Sequence, residues 1–343
     1  MIPARSGRVP LRGAIVGYGH VADAGHMPFW RDCPQAEIIA AVDSDPARLA
    51  LFEEGGGRGH PTLDALLAGG RLDFVDICTS PSSHAALIEA ALAAGLHVLC
   101  EKPLTIDLAD TTRVAQAAAT SGRVVHTVHN WLHAPACREI SRLLSGGVIG
   151  AVRRIEWRTL RTAPAVAVGG GSAANWRLDP RVAGGGILID HGWHAIYCVA
   201  AWAGTGPLHV RARLENRRFL DLGVEDSAML DLDFGTAQGR IELTWAADQR
   251  ANSLTVDGTD GRLELDGATL TLDRDGVERR WTCPPSLAEG SHHPDWFARL
   301  AEEFLDAVLT GGPNNLAAAV TCSAVIEAAR RSSAAGGVSE VVS

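Results

Sequence analysis

The apolar run Ala14-Ile15-Val16 breaks directly into Gly17-Tyr18-Gly19-His20-Val21-Ala22. This junction constrains the fold more than any other stretch of the chain. The first glycine permits the tight turn that carries a buried strand into a helix. The second keeps the backbone bare, and the small Ala22 lets the helix pack closely on the strand. In isolation the spacing says little, because the chain has 37 glycines. Its surroundings decide the matter. Short apolar runs at Ala14–Val16, Ile38–Val42, Phe74–Cys78, His97–Cys100 and Val124–Val128 alternate with helical stretches. Two of these, Ser83–Ala94 and Asp107–Ala119, are stopped by Gly95 and Gly122. Near-continuous apolar strands separated by helices predict a doubly wound parallel sheet covered on both faces.

From about Val152 the pattern changes. Arg153–Trp157, His209–Leu214, Ser227–Phe234, Arg240–Trp245 and Ser253–Val256 read as strands with no helix between most of them. Asp257-Gly258-Thr259-Asp260-Gly261 and Leu265-Asp266-Gly267 read as turns, so this part predicts an antiparallel sheet. Helical segments close the chain at Asp295–Leu309 and Leu316–Ala335, and Ala163–Ala174, with three consecutive glycines, reads as a loop. The expected organisation is an α/β Rossmann domain over 1–133 followed by an α+β domain over 134–343.

Composition excludes some partners. A net charge of −9, with 31 Lys+Arg scattered along the chain, offers no basic face for nucleic acid or an anionic membrane. The N-terminal residues are polar and lead into no long apolar run, so neither a signal peptide nor a membrane span is expected. Seven well-separated cysteines without a Cys-x-x-Cys pair read as reduced core thiols of a cytoplasmic protein, not as a zinc site.

Asp43 closes the second predicted strand, 21 residues beyond Ala22. A carboxylate there accepts hydrogen bonds from adenosine ribose hydroxyls and repels a 2′-phosphate. With the glycine turn it points to a dinucleotide, NAD in preference to NADP, since no arginine follows Asp43 immediately. FAD uses the same fingerprint, and a plain glycine turn with a helix-capping aspartate is the competing structural explanation.

Redox chemistry on an alcohol needs a group to take or give the hydroxyl proton. The chain has two tyrosines, Tyr18 in the glycine loop and Tyr197, with alanine four residues after the latter. A Tyr-x-x-x-Lys site is therefore excluded, and lysine and histidine remain. Glu101-Lys102-Pro103 sits at the carboxyl end of a predicted parallel strand, the edge where such sheets bind ligands; an ordinary surface turn is the alternative. Gly184-Gly185-Gly186 is followed by Asp190, His191 and His194. On a helix Asp190 and His194 would share a face, where a carboxylate orients an imidazole and raises its basicity. The glycines would let a ligand approach the backbone. A satisfied core histidine and a metal held by Asp190, His191 and His194 are the competing explanations.

Taken together, these segments resemble the glucose–fructose oxidoreductase / inositol dehydrogenase family (Gfo/Idh/MocA) over nearly the whole chain. The resemblance rests chiefly on Glu101-Lys102-Pro103 and on Gly184-Gly185-Gly186 with Asp190, Gly192 and His194. Gly17–Ala22 with His26, Thr79-Ser80-Pro81-Ser82-Ser83-His84, His129-Asn130-Trp131, Val224-Glu225-Asp226 and Val256–Gly261 add to it. It implies a large open sheet in the second domain, a homodimer or homotetramer built on that sheet, and a sugar or cyclitol substrate. It also implies NAD contacts at Gly17, Tyr18, Gly19, His20, Val21, Ala22, Asp43, Thr79, Ser80, Pro81, His84, Glu101, Lys102 and Asn130. Lys102 would meet the substrate hydroxyl and nicotinamide ribose, His194 would exchange the proton, and Asp190 would hold the hydroxyl or position His194. Trp131, Trp176 and His191 are candidate substrate contacts; an indole can stack on a sugar face, although core packing also explains Trp131 and Trp193. Some relatives oxidise only transiently and return the electrons, and some are non-catalytic regulators. Retention of Lys102, Asp190 and His194 argues against the last.

Overall fold

The computed structural model describes residues 9–166, 175–290 and 292–343. Most of the expected loop Ala163–Ala174, including its three glycines, lies outside the described residues. The chain forms two compact units, Met1–Asn130 with His292–Ala319, and Trp131–Ser291 with Val320–Ser343.

The first unit holds a six-stranded parallel sheet. Its strands are β1 (Leu11–Val16), β2 (Ala36–Val42), β3 (Arg58–His60), β4 (Phe74–Ile77), β5 (His97–Cys100) and β6 (Val125–Thr127), in the order β3-β2-β1-β4-β5-β6. Its helices are α1 (Met27–Asp32), α2 (Pro46–Glu53), α3 (Leu63–Leu67), α4 (His84–Ala93) and α5 (Leu108–Ser121). Caps explain their boundaries. Asp45, Thr62 and Asp107 each accept an N–H of the first helical turn, and Gly122 ends α5 at φ 64°. The order reverses between β1 and β4, the switch point at which open α/β sheets bind ligands.

The second unit is built on a nine-stranded sheet. It comprises β7 (Val152–Leu160), β8 (His209–Glu215), β9 (Ser227–Asp233), β10 (Gln238–Thr244), β11 (Ala251–Gly258), β12 (Arg262–Asp266), β13 (Thr269–Arg274), β14 (Val277–Thr282) and β15 (Glu340–Val341). Their order is β14-β13-β12-β11-β7-β10-β9-β8-β15, antiparallel except for the β7–β10 pair. Alternation places Ile155, Trp157, Leu230, Leu232, Ile241, Leu243, Leu254 and Val256 in the core, while their neighbours form ion pairs such as Arg158–Glu242 and Arg240–Asp231. Helices α6 (Pro135–Ser145), α7 (Pro180–Ala183) and α8 (Trp193–Ala203) precede β8, and α9 (Pro294–Thr310) and α10 (Leu316–Ala334) follow β14. Helix α8 packs on β7 and β10.

The linear division at 133/134 gives way to a discontinuous one, because α9 belongs to the first unit. The cause is its apolar face: Phe297, Leu300, Phe304 and Leu305 are buried in one cluster with Ile15, Trp30, Phe74 and Leu99. Asn315 reinforces this by accepting the Thr127 N–H and donating to the Thr127 carbonyl.

Candidate active site

In the first unit the predicted residues gather at the carboxyl ends of the strands. Gly17 turns at φ 89°, and a Cβ on it would lie 2.8 Å from the Thr79 backbone nitrogen, so the loop after β1 rests on the loop after β4. A Cβ on Gly19 would meet nothing within 4 Å. The loop is thus tight where protein packs on protein and open where a pyrophosphate would lie. Ala22 is fully buried. It opens a π-helical turn, Ala22–His26, that runs into α1. The Tyr18 side chain packs on Phe52 and donates to Asp23, which leaves its backbone as the part available to a ligand. His20 stands edge-on to His292. Asp43 follows β2 and is half-buried.

Pro81 begins a short 3-10 turn, Pro81–Ser83, after Thr79 and Ser80. The Ser83 hydroxyl lies 2.8 Å from both Thr79 Oγ1 and the Ser80 carbonyl. His84 is fully buried, with Nδ1 2.9 Å from the Pro103 carbonyl and Nε2 3.0 Å from that of Thr79. Its ring ties this loop to the turn that carries Lys102. Asn130 completes the set: its Oδ1 is buried and has no hydrogen-bond partner among the described residues. That acceptor needs a donor. The open space at Gly19 fits a pyrophosphate, and the unpaired Asn130 acceptor fits a ligand donor.

Behind Lys102 lies a network that the sequence did not announce. His26 Nδ1 lies 2.9 Å from Asp76 Oδ2, and His26 Nε2 lies 3.1 Å from Glu101 Oε1. Trp30 donates to the same Asp76 oxygen at 2.8 Å, and Glu101 Oε2 accepts the Lys102 backbone N–H at 2.9 Å. Burial opposes a charge on His26, yet the Asp76 carboxylate outweighs it and holds the imidazolium well above its ordinary pKa. Burial likewise pushes Glu101 up, but His26 and Lys102 more than compensate and its carboxyl falls below the usual range. Burial and then Asp76 push the Cys78 thiol up to about 12. His26, Asp76 and Cys78 gather their ligand-type atoms within 4.8 Å of one another. Asp76 and Glu101 already lie against the two ring nitrogens of His26, so the cluster reads as a hydrogen-bonded ion-pair network.

In the second unit, Gly184 ends α7 at φ 85° and Gly185 adopts φ 156°. A Cβ on Gly186 would fall 1.9 Å from the Glu225 carbonyl oxygen. Close packing on the Glu225 backbone therefore explains Gly186, and positive φ explains Gly184 and Gly185. Glu225 also fixes the segment that follows, its Oε1 accepting the N–H groups of Gly186 and Leu188. Asp226, fully buried, accepts the N–H groups of Arg217, Arg218 and Phe219. Burial raises its pKa, but these bonds and the one from Ser227 hold it below its ordinary value.

Asp190 and His191 lie in a π-helical turn, Leu188–Gly192, and His194 in the α-helix after it. The expected single α-helical face shared by Asp190 and His194 is thus interrupted. Asp190 pairs with His191 Nδ1 at 3.1 Å, while His194 Nδ1 lies 2.8 Å from the Tyr197 hydroxyl. Trp131, 8% exposed, stacks on His194 with ring centroids 4.5 Å apart. Trp193 is fully buried core, and Trp176 carries the Arg177 guanidinium 4.4 Å from its ring centroid. Tyr197 is the residue that sequence reasoning set aside. Its helical spacing of three from His194 was the available signal.

Residues 11–129 match the model of an oxidoreductase family with an NAD-binding Rossmann fold, and residues 137–264 match the GFO/IDH/MocA C-terminal domain. D-apiose dehydrogenase of Paraburkholderia graminis is 30% identical over 294 residues, covering 82% of this chain and 75% of its own. The dTDP-3,4-didehydro-2,6-dideoxy-alpha-D-glucose 3-reductase of Actinomadura kijaniata is 28% identical over 323 residues, covering 88% and 89%. An oxidoreductase from Agrobacterium radiobacter, solved with NAD+, L-tartaric acid and magnesium, shares the fold with a TM-score of 0.85 at 24% identity, covering 97% and 99%. The glycine turn, the Glu101-Lys102-Pro103 turn and the Glu225-pinned segment before His194 accordingly place this chain in the Gfo/Idh/MocA family of NAD-binding oxidoreductases.

Proposed function

We propose that the protein interconverts a secondary alcohol and a ketone on a sugar, sugar derivative or cyclitol with NAD. The observation that carries this reading is the buried His26–Glu101 network, which fixes the Lys102 turn at the ligand edge of the first sheet. The names of the relatives, a sugar dehydrogenase and a keto-sugar reductase, support the substrate class. NAD, when bound, accepts or returns the hydrogen of the carbinol carbon with its electron pair. Gly17–Ala22, Asp43, Thr79–Pro81, His84, Glu101, Lys102 and Asn130 would hold and shape its site. Among these, His84 and Glu101 act by shaping, since their polar atoms already have protein partners. His194 takes the hydroxyl proton in oxidation and returns it in reduction. The Lys102 ammonium stabilises the developing alkoxide, where a fixed cation in a partly dry site is most effective. Asp190 holds the substrate hydroxyl, and Trp131, Trp176 and His191 bound the sugar.

A panel of cyclitols, aldoses, sugar acids and keto sugars assayed with NAD and NADH tests the reading. Net change in NADH absorbance with at least one polyol or keto sugar is expected. Product formed without net absorbance change would assign the transient-oxidation variant, and no conversion of any member would leave only a dinucleotide-binding protein.

Two variants probe the cofactor pocket. Gly19→Ala is expected to leave the thermal midpoint unchanged, because no protein atom opposes the new methyl, while NAD affinity falls by about tenfold. Equal NAD titration curves for variant and parent would remove the pyrophosphate from this loop. Asp43→Ala is expected to lower the preference for NAD over NADP by about 10–100-fold, the worth of a charge-assisted hydrogen bond. An unchanged ratio of kcat/KM for the two cofactors would move that discrimination elsewhere.

We also propose a cytoplasmic homodimer or homotetramer assembled on the open face of the nine-stranded sheet. The described cysteines are all free thiols, and no described helix is long and apolar enough to cross a membrane.

A further inference from the structure

Helix α8 sets Tyr197 three residues beyond His194, so both side chains leave the helix on the same side. The Tyr197 hydroxyl oxygen lies 2.8 Å from His194 Nδ1, and the Trp131 backbone N–H donates to that same oxygen at 3.0 Å. The Trp131 ring covers the imidazole with an interplanar angle of 11°, and the Tyr197 ring stands edge-on to it at 78°. One nitrogen and the plane of the histidine ring are therefore held at once, by contacts from two separate segments.

We propose that Tyr197, itself fixed by the Trp131 amide, is a positioning residue that commits Nδ1 of His194 to an internal hydrogen bond and assigns proton exchange with the substrate to Nε2. This rests on the reading of His194 as the acid–base group. A phenol offers one O–H donor and two acceptor lone pairs. The Trp131 N–H, which can only donate, takes one lone pair, and Nδ1 lies against the same oxygen, within reach of its O–H or its other lone pair. When the neutral ring carries its proton on Nε2, the phenol donates to Nδ1. When Nδ1 is protonated, it donates to the phenol oxygen and the O–H rotates aside. A carboxylate in the same place could only accept, and would hold the proton on Nδ1 throughout. The phenol keeps its grip in both forms, so His194 can give and receive at Nε2 without losing its tether.

Tyr197 is buried, and burial pushes its phenol well above the ordinary value, so the O–H persists through the working pH range. Among the described residues, the titratable groups that act on the Tyr197 phenol include Cys198 on α8, Cys137 on α6 and Cys322 on α10. Asp190 and His191 lie in the preceding turn, and Arg161 senses Asp190. Burial holds Cys198 and Cys322 above their ordinary range. Burial and then Arg250 lower Arg161 to about 10, Asp190 working the other way, so it remains a cation near neutrality.

The chain has only two tyrosines, which makes the test direct. The full-length protein carrying 3-fluorotyrosine should give two fluorine resonances, assigned by Tyr18→Phe. The Tyr197 resonance is expected to follow the titration of His194 and to lose that pH dependence in His194→Asn. Tyr197→Phe should cut kcat by ~10–100-fold, leave NAD affinity unchanged and displace the histidine limb of the kcat–pH profile. A Tyr197 resonance indifferent to His194, or a Tyr197→Phe enzyme with the parental pH profile beside an inactive His194→Ala enzyme, overturns the proposal. If His194→Ala retains turnover, the acid–base reading fails instead, and the fluorine titration still reports whether the pair is coupled. Should Tyr197→Phe not fold, the fluorinated parent decides alone.

Discussion

Lys102→Ala and His194→Ala are each expected to lower turnover by ~10²–10⁴-fold while NAD binding is largely kept. In the proposed mechanism the two groups handle one event: the imidazole takes the proton, and the ammonium stabilises the oxygen that loses it. Their effects should therefore not multiply, and the double variant should fall little below the worse single one. The measurement is kcat and kcat/KM on the substrate identified by the panel, with NAD affinity measured separately. Lys102→Arg adds a useful arm. It keeps the charge but replaces a compact ammonium by a planar fork, and should recover only part of the loss. Near-parental turnover in both alanine variants would remove the proposed assignment, whatever the family.

The second large effect concerns stability. Asp76→Ala deprives the buried His26 imidazolium of its main counter-charge and leaves the Trp30 N–H without its acceptor. Breaking a buried pair in this way costs about 3–5 kcal/mol, readable as a lowered denaturant midpoint. A loss below about 1 kcal/mol would mean that the network contributes no more than a surface pair. The pH dependence has a defined sign. His26 is raised in the folded state, so its contribution is present below its unfolded pKa and is lost as pH rises through the higher folded value. Glu101 is depressed, so its contribution is present above the unfolded value and is lost as pH falls through the lower folded one. The network should thus support stability over a central window with one alkaline and one acid limb. Asp76→Asn, which removes charge but keeps an acceptor for Trp30, should flatten the alkaline limb most.

Much of the first unit could be read directly because its signals are local. Five of the six parallel strands were placed, and His97–Cys100 matches to the residue, because strands buried on both faces announce themselves as apolar runs. The short edge strand Arg58–His60 has no such run and was missed. The attachment of α9 to the first unit depends on Phe297 and Phe304 meeting Ile15 and Phe74, a contact between residues far apart in sequence that periodicity does not reveal. The candidate site divides in the same way. Gly17, Gly19 and Lys102 were legible as turns at strand ends. Asp76 was hidden because it stands inside the apolar run Phe74–Cys78, where a charge is tolerated only with its buried partners. Tyr197 has alanine, not lysine, four residues on and so carries no catalytic signature of its own, and its partnership with His194 is a matter of helix geometry. The π-helical turns at Ala22–His26 and Leu188–Gly192 leave no compositional mark.

Those two turns bear on how such proteins diverge. A π turn is an α-helix that has absorbed one additional residue. Deleting a single residue within Leu188–Gly192 would let the ladder relax to regular α-helix while the flanking turns keep their orientation, so only the side chains within the turn would be re-aimed. Asp190 and His191 would then face new directions although neither had been mutated. Single-codon insertions and deletions here are a route to re-aimed side chains that point substitution cannot supply. Alignments that force a gap-free pairing through this helix would equate residues that do not occupy equivalent positions.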